Sequence, residues 1–424
     1  MSDLGPSPLA AGEANISVAQ ACAEIAALLR PIAEAEEVPV ERAIGRVLAG
    51  DVVSPIDVPP HDNSAMDGYA FAASALHADR TTVLRTIGTL FAGAAFDRPV
   101  NEGECVRIMT GAVMPAGLDT VVPMELCRVE AERVLIEPGA IRAGENRRKR
   151  GEDLARGHAA VRAGRVLKPA DLGLIASLGI GAVSVMRRLR VALFSTGDEV
   201  RTLGQPLEPN CVYDSNRYSL LGALQRLGMD VIDLGVVRDD PQRLQETLEA
   251  AMAKADVILT SGGVSAGDAD YTRDILARLG KVAFWKVAMR PGRPFAFGPL
   301  AAPGATRTTW LFALPGNPVA ALVTFYVFAR EALLVLAGAQ PERLPMLQAR
   351  CTRAIRKRPG RTEFQRGFVS PAPDGGWQVQ ITGSQGAGIL RSMSEANCLV
   401  VLRHEQGSVA AGEPVDVWLF DGLT

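Results

Sequence analysis

Lysine is nearly missing from this chain of 424 residues: six of its 45 cationic residues are lysines and thirty-nine are arginines. A base-composition bias that also favours Ala accounts for the ratio, and each lysine that survives it stands out, Lys286 most of all because it sits inside a dense polar motif. Histidine and cysteine are scarce and scattered. The histidines (61, 77, 158, 404) and cysteines (22, 105, 127, 211, 351, 398) form no CxxC pair and no metal-ligand spacing. That argues against structural zinc and a disulfide framework, and it fits a reducing cytoplasm. An excess of one charge sign is also absent. A net charge of −2 is that of an ordinary soluble protein and speaks against wholesale nucleic-acid binding. No apolar run survives at membrane-spanning length, because Pro315-Gly316-Asn317-Pro318 breaks the uncharged stretch from Thr308 to Ala329. The N-terminus has an early acid and no basic-then-apolar segment, so neither a signal peptide nor a membrane association is expected.

What the chain has in quantity is turn formers, 42 Gly and 27 Pro, spread over a length that calls for three or four modules. Ser17 to Gln20 is a capping-box pattern opening an amphipathic helix that runs until Pro31. From Val53 to about Arg165 short apolar runs punctuated by Gly and Pro predict β-rich modules, and Lys168-Pro169-Ala170-Asp171 opens a short helix closed at Gly179. From Leu189 strands (RVALFSTGDEV, MDVIDLGVV, DVILTSGG, WLFAL) alternate with helices (Asn216 to Gly228, Pro241 to Ala255, and Pro318 to about Ala337 with Asn317 as cap). This predicts a parallel sheet covered on both faces, with ligands beyond the carboxyl ends of its strands. After Gly338 hairpin patterns predict a separate small β module.

The α/β region gathers its polar residues where strands end: Thr196-Gly197-Asp198-Glu199, Arg238-Asp239-Asp240-Pro241, and Ser261-Gly262-Gly263 running on to Asp270. Glycine loops at helix starts cradle oxyanions, so a phosphate-bearing ligand is expected. Neither GxxxxGK[ST] nor GxGxxG is present, which sets aside P-loop ATPases and Rossmann dehydrogenases. Asp240, directly before Pro241, reads as a helix cap rather than a ligand. Asp239 lacks that role. Asp270 reads equally as a cap or a ligand, and Glu199 as a solvated strand end or, grouped with the other acids, as a Mg²⁺ ligand. Lys286, Arg290 and Arg293 place three cations within eight residues around a Pro-Gly turn, suited to clamping a dianion. DNSAMDGYA (62–70) reads as an Asx-type turn with two acids, and the cationic run Arg147 to Arg150 is followed at once by Gly-Glu-Asp.

In this order, DNSAMDGYA (62–70), IMTGA (108–112), NRRKRGED (146–153), ASLGI (176–180), VALFSTGDE (191–199), RDDP (238–241), SGGVSAGDADYT (261–272), FWKVAMRPGRPFAFG (284–298), LPGNPVAA (314–321) and EFQRG (363–367) closely resemble the molybdopterin molybdenumtransferases. These are bacterial molybdenum-insertion proteins, also similar to the E domain of gephyrin, and the resemblance covers the chain from about residue 17 onward. It implies an α/β multidomain fold: a mostly parallel molybdopterin-binding domain (17–36 and 189–337), an elongated dimer-forming domain (37–55 and 157–188), an inserted β-rich domain (56–156) and a C-terminal β-barrel-like domain (338–424). It further implies a homodimer with a cleft shared by two protomers, molybdate and adenylylated molybdopterin as substrates, and AMP release assisted by Mg²⁺. By the same resemblance Asp67, Thr110, Glu199, Asp239, Asp270, Lys286 and Arg290 are active-site residues, with Glu199, Asp239 and Asp270 toward the metal. Arg148, Asp153, Ser261, Gly262, Gly263, Arg293, Pro315, Gly316, Asn317 and Arg366 are then ligand or supporting contacts. A molybdopterin adenylyltransferase and molybdoenzyme maturation proteins are conceivable partners.

The chain departs from the family pattern in carrying Arg290 and Arg293 where Lys is frequent, and Ala387 where Ser is common. Two other readings share the fold. An adenylyltransferase is disfavoured by the extra modules at 37–188 and 339–424, and a gephyrin-like scaffold by the intact acids at 67, 199, 239 and 270.

Overall fold

The computed structural model describes residues 15–263, 270–301, 307–340 and 344–420. Its centre is a seven-stranded sheet in the order Asn15–Ile16, Ala283–Val287, Pro294–Leu300, Thr309–Leu314, Val257–Ser261, Arg190–Thr196, Asp230–Val237. Six strands run the same way; only Pro294–Leu300 is reversed, pairing antiparallel with both neighbours. The sequence pattern predicts the four parallel strands and only a basic turn where the hairpin that adds Ala283–Val287 and Pro294–Leu300 forms. Its residues alternate poorly because the strands lie inside an aromatic cluster, with Phe297 stacked on Trp310 and Phe295 on Phe328.

Capping decides where the covering helices begin. Ser17 and Gln20 form the capping box that opens Val18–Leu28. Asp240 accepts from the Arg243 N–H at 2.8 Å and so caps Pro241–Lys254, the role its sequence position predicts. Asn317 differs: it occupies the position before Pro318–Thr324, but its side chain makes no capping bond. That apolar segment continues through a π-helical turn, Phe325–Ala329, into Arg330–Leu336. Pro318–Leu336 is long and apolar enough to cross a membrane, yet 78% of it is buried inside the protein, where it packs on the sheet as a core helix.

The chain leaves this domain after the first helix and returns at Arg190. Between those points Ala35–Pro39 pairs antiparallel with Ala182–Met186, and Val52–Val53 with Ala159–Val161, to form an arm with its own core around Leu48, Ile175 and Val185. Beyond the arm lies a six-stranded sheet ordered Thr120–Pro123, Gly68–Phe71, Glu104–Ile108, Thr82–Leu90, Arg133–Ile136, Arg128–Glu130, with an apolar cluster on each face. The arm is stapled to the central sheet at its root. Arg187 donates to both oxygens of buried Asp256 (2.7 and 2.9 Å) and to Glu34, and Arg307 reaches the same carboxylate.

In the C-terminal unit the strands Thr362–Pro371, Trp377–Ile381, Leu347–Cys351, Pro414–Leu419 and Cys398–Leu402 each pair with the next, and the last pairs back to the first, closing a five-stranded barrel. The barrel leans on the central domain. Phe364, Leu399 and Val401 join the main core, and Met289–Arg290 adds to the barrel strand that begins at Thr362.

Candidate active site

A cleft of about 990 Å³ opens between the carboxyl ends of the parallel strands and the barrel. This is where a doubly wound sheet offers its loops to a ligand. One wall carries two carboxylates, Glu199 and Asp239, at the ends of neighbouring strands; the Asp239 N–H donates to Asp198 at 3.3 Å and ties those ends together. The opposite wall carries Arg290, Arg293 and Arg361. Arg361 also lies along buried Glu363, donating from Nε at 2.8 Å. Between the walls run two glycine loops, Ser261-Gly262-Gly263 and Pro315-Gly316-Asn317.

The close approach of these loops explains their composition. Gly262 has φ of +98°, and a Cβ there would stand 2.7 Å from the Thr196 carbonyl oxygen. Its own N–H donates to the Leu314 carbonyl at 3.0 Å. Thr196 Oγ1 is buried beside Gly262 and Gly263, lines the cleft, and has no hydrogen-bond partner among the described residues. An orphaned hydroxyl facing a glycine loop is a ready ligand contact. On the cationic wall Gly292 is equally constrained: φ is +97°, and a Cβ would lie 2.3 Å from Thr324 Oγ1.

Other residues expected from sequence do not line this cleft or lie outside the described residues. Lys286 is on the strand Ala283–Val287, in register with Asn15 and Pro294. Helix Asp270–Leu279 begins at Asp270, whose side chain lies outside the described residues, as do positions 264–269 of the third polar loop. Arg366 is 1% exposed. Its Nε donates to Ser392 Oγ at 3.0 Å and its Nη2 to the Ser384 and Gly386 carbonyls, so it braces the 384–390 loop that lines the cleft. Burial, aided by nearby Arg290, pushes its guanidinium down to about 10. Ala387 in that loop lines the cleft and accepts the Val319 N–H through its carbonyl.

Asp67, Thr110, Arg148 and Asp153 form a second group on the inserted sheet and its edge, away from this cleft. Asp67 accepts from both the N–H and the hydroxyl of Thr110, and these two bonds hold its carboxyl below the usual range. The 62–70 and 146–153 motifs are stitched together: Arg147 and Arg148 pair with Ser64 and Asn63, the Arg150 N–H donates to Asp62, and Arg150 Nε donates to Asp57 at 2.6 Å. The cationic run of NRRKRGED is therefore held against the 62–70 segment. Sequence reasoning missed Arg361, whose arginine-rich context hid it, and Asn216, whose place after Asp214-Ser215 reads as an ordinary helix start.

No group of three or more His, Cys, Asp or Glu side chains among the described residues forms a metal cage. All six cysteines are free, and burial pushes the Cys105 thiol up to about 11 and Cys398 to about 12, which makes them poor nucleophiles. Paired hard carboxylates facing a cationic wall suit a divalent cation whose remaining ligands come from a phosphate-bearing substrate.

Fold and site together define a multidomain α/β protein with a cleft between a mostly parallel sheet and a barrel, lined by carboxylates, arginines and glycine loops. Family-level comparison matches residues 16–179 to the MoeA N-terminal region (domain I and II), 192–335 to a probable molybdopterin binding domain, and 348–420 to the MoeA C-terminal region (domain IV). The chain is 40% identical over 391 residues to the molybdopterin molybdenumtransferase of Haemophilus influenzae, covering 92% of this chain and 95% of that protein. It is 37% identical to that of a Nostoc species, covering 90% and 88%. A crystal structure of the molybdopterin biosynthesis moeA protein from Pyrococcus horikoshii OT3 superposes with a TM-score of 0.81 at 27% identity, covering 96% of this chain and all of that one. The chain belongs to the molybdopterin molybdenumtransferase family.

Proposed function

We propose that the chain inserts molybdenum from molybdate into adenylylated molybdopterin, releasing AMP with the help of Mg²⁺. The observation that carries the reading is the opposition, across one cleft, of Glu199 and Asp239 to Arg290, Arg293 and Arg361, with two glycine loops between them. Adenylylated molybdopterin carries a pyrophosphate and molybdate is a dianion. Bringing them together calls for cations and backbone amides to offset their repulsion.

In this reading the arginine wall binds the diphosphate, and the Ser261–Gly263 loop lets a phosphate oxygen approach closely while Thr196 Oγ1 donates to it. Glu199 and Asp239, with Asp270, would hold Mg²⁺, which would supply charge neutralisation at the phosphoanhydride. The same carboxylates repel any anion out of register, so the reacting phosphorus sits between the walls.

The reading also assigns a role to the remote group. Asp67, Thr110, Arg148 and Asp153 lie on the inserted module, and in a homodimer whose cleft is shared they complete the site of the partner subunit. A two-fold arrangement supplies such a group to each cleft. The test is Asp239→Asn with adenylylated molybdopterin: binding is kept and AMP release falls at least about a hundredfold. Turnover that survives removes Asp239 from the chemistry.

A further inference from the structure

The start of helix Ser215–Arg226 ties together three adjacent strand ends of the central sheet. Asp214, buried at its N-cap, accepts from Ser195 Oγ at 2.9 Å and from the Arg217 N–H at 3.1 Å, and Arg217 Nε meets its second oxygen at 3.0 Å. Its charge is thus matched, and the helix start is pinned to the strand Arg190–Thr196. Two residues on, Asn216 Nδ2 donates to Ser261 Oγ and to the Gly316 carbonyl oxygen, both at 2.7 Å. Those acceptors lie at the ends of the next two strands, Val257–Ser261 and Thr309–Leu314, and Ser261 Oγ in turn donates to the Pro315 carbonyl at 3.3 Å. Asn216 itself lines the cleft.

We propose that Asn216 is a positioning residue whose amide fixes the spacing of the Ser261–Gly263 and Pro315–Asn317 loops and thereby sets the affinity of the cleft for a diphosphate. The inference rests on the reading of those loops as anion contacts. Both loops are rich in glycine; the bonds from Gly262 N–H to Leu314 and from Ser261 Oγ to Pro315 join their bases, and Asn216 is the side chain from a third element that bridges the two. A carboxamide is suited to this because one NH₂ group supplies two donors. Aspartate there keeps the shape, and its negative charge is welcome in the first helical turn, but it has no donor and turns an oxygen toward the Gly316 carbonyl. Asn216→Asp therefore removes the cross-link while keeping the side-chain shape, and Asn216→Ala removes it without adding a negative charge to the cleft.

The test is calorimetric titration of inorganic pyrophosphate into the full chain, alongside thermal melts. Wild type is expected to bind, with Asn216→Asp and Asn216→Ala weaker by about tenfold or more, the loss expected when a charge-binding loop loses its support. Ser261→Ala combined with Asn216→Ala is expected to lose less than the sum of the two single effects, because both singles break the Asn216–Ser261 bond. With adenylylated molybdopterin as substrate, KM should rise far more than kcat falls in Asn216→Asp. Unchanged pyrophosphate affinity in a folded Asn216→Asp variant, additive losses in the double variant, or no binding by wild type would each overturn the proposal. Wild type that binds pyrophosphate but releases no AMP would sink the functional reading alone, leaving the cross-link to be judged by the titrations.

Discussion

Thr110 donates both its backbone N–H and its hydroxyl to the same oxygen of Asp67, each at 2.7 Å. Two donors on one exposed carboxylate favour its charged form and fix its direction, at a point where the inserted module shows it to solvent. Removing the hydroxyl with Thr110→Val leaves one donor, so the Asp67 carboxyl must rise from its depressed position. Since the depressed wild-type Asp67 keeps its charge to lower pH than an ordinary carboxylate, the acid limb of the activity profile should move to higher pH in the variant. A limb at the wild-type position would show that Asp67 does not limit activity there.

The staple at the root of the arm makes a stability prediction. Burial works against the charge on Asp256, but the Arg187 guanidinium, the Arg190 N–H and the charges of Arg187 and Arg307 together hold its carboxyl below the usual range. A depressed carboxylate adds stability that is fully present above its unfolded pKa and is lost as pH falls through the folded one. Asp256→Ala leaves Arg187 buried without its main partner, and denaturant unfolding should register a loss of about 3–5 kcal/mol. A loss below about 1 kcal/mol would mean the arm's orientation is held by other contacts.

Gly262→Ala should harm the cleft more than Gly263→Ala. Both glycines have positive φ, but a Cβ at Gly262 meets Thr196 carbonyl and hydroxyl oxygens at 2.7 Å, whereas at Gly263 the nearest atom is Thr196 Oγ1 at 3.2 Å. Each change carries a backbone cost of about 1–2 kcal/mol. Only the first also forces the loop away from the strand end, so pyrophosphate affinity should fall further in Gly262→Ala, read by the same titration.

A shared cleft predicts complementation. Asp67→Ala and Asp239→Ala should each be inactive alone, while mixing after dissociation and reassembly should restore about a quarter of wild-type activity, because half the dimers are then hybrids with one intact site of two. No recovery on mixing would place both residues in one subunit's site or outside it.

Much of this was legible in the sequence where local chemistry decides the outcome. The capping box at Ser17 and Gln20, the Asp240 cap, the helix closed at Gly179 and the four parallel strands each follow from a few neighbouring residues. The rest depends on distant partners. Leu347–Cys351 pairs with Pro414–Leu419 nearly seventy residues away to help close the barrel, and Arg361 enters the cleft only because Met289–Arg290 pairs with the barrel strand beginning at Thr362. Asn317, expected both to cap a helix and to contact the ligand, makes no side-chain capping bond and lines the cleft. Asn216 was overlooked because its two acceptors lie 45 and 100 residues away.

The most direct test of the central claim is AMP release by the purified chain given adenylylated molybdopterin and Mg²⁺, measured with and without molybdate and followed by assay of the product for active molybdenum cofactor. AMP release that depends on molybdate and yields active cofactor is the predicted result. Release indifferent to molybdate, with no cofactor formed, would contradict it.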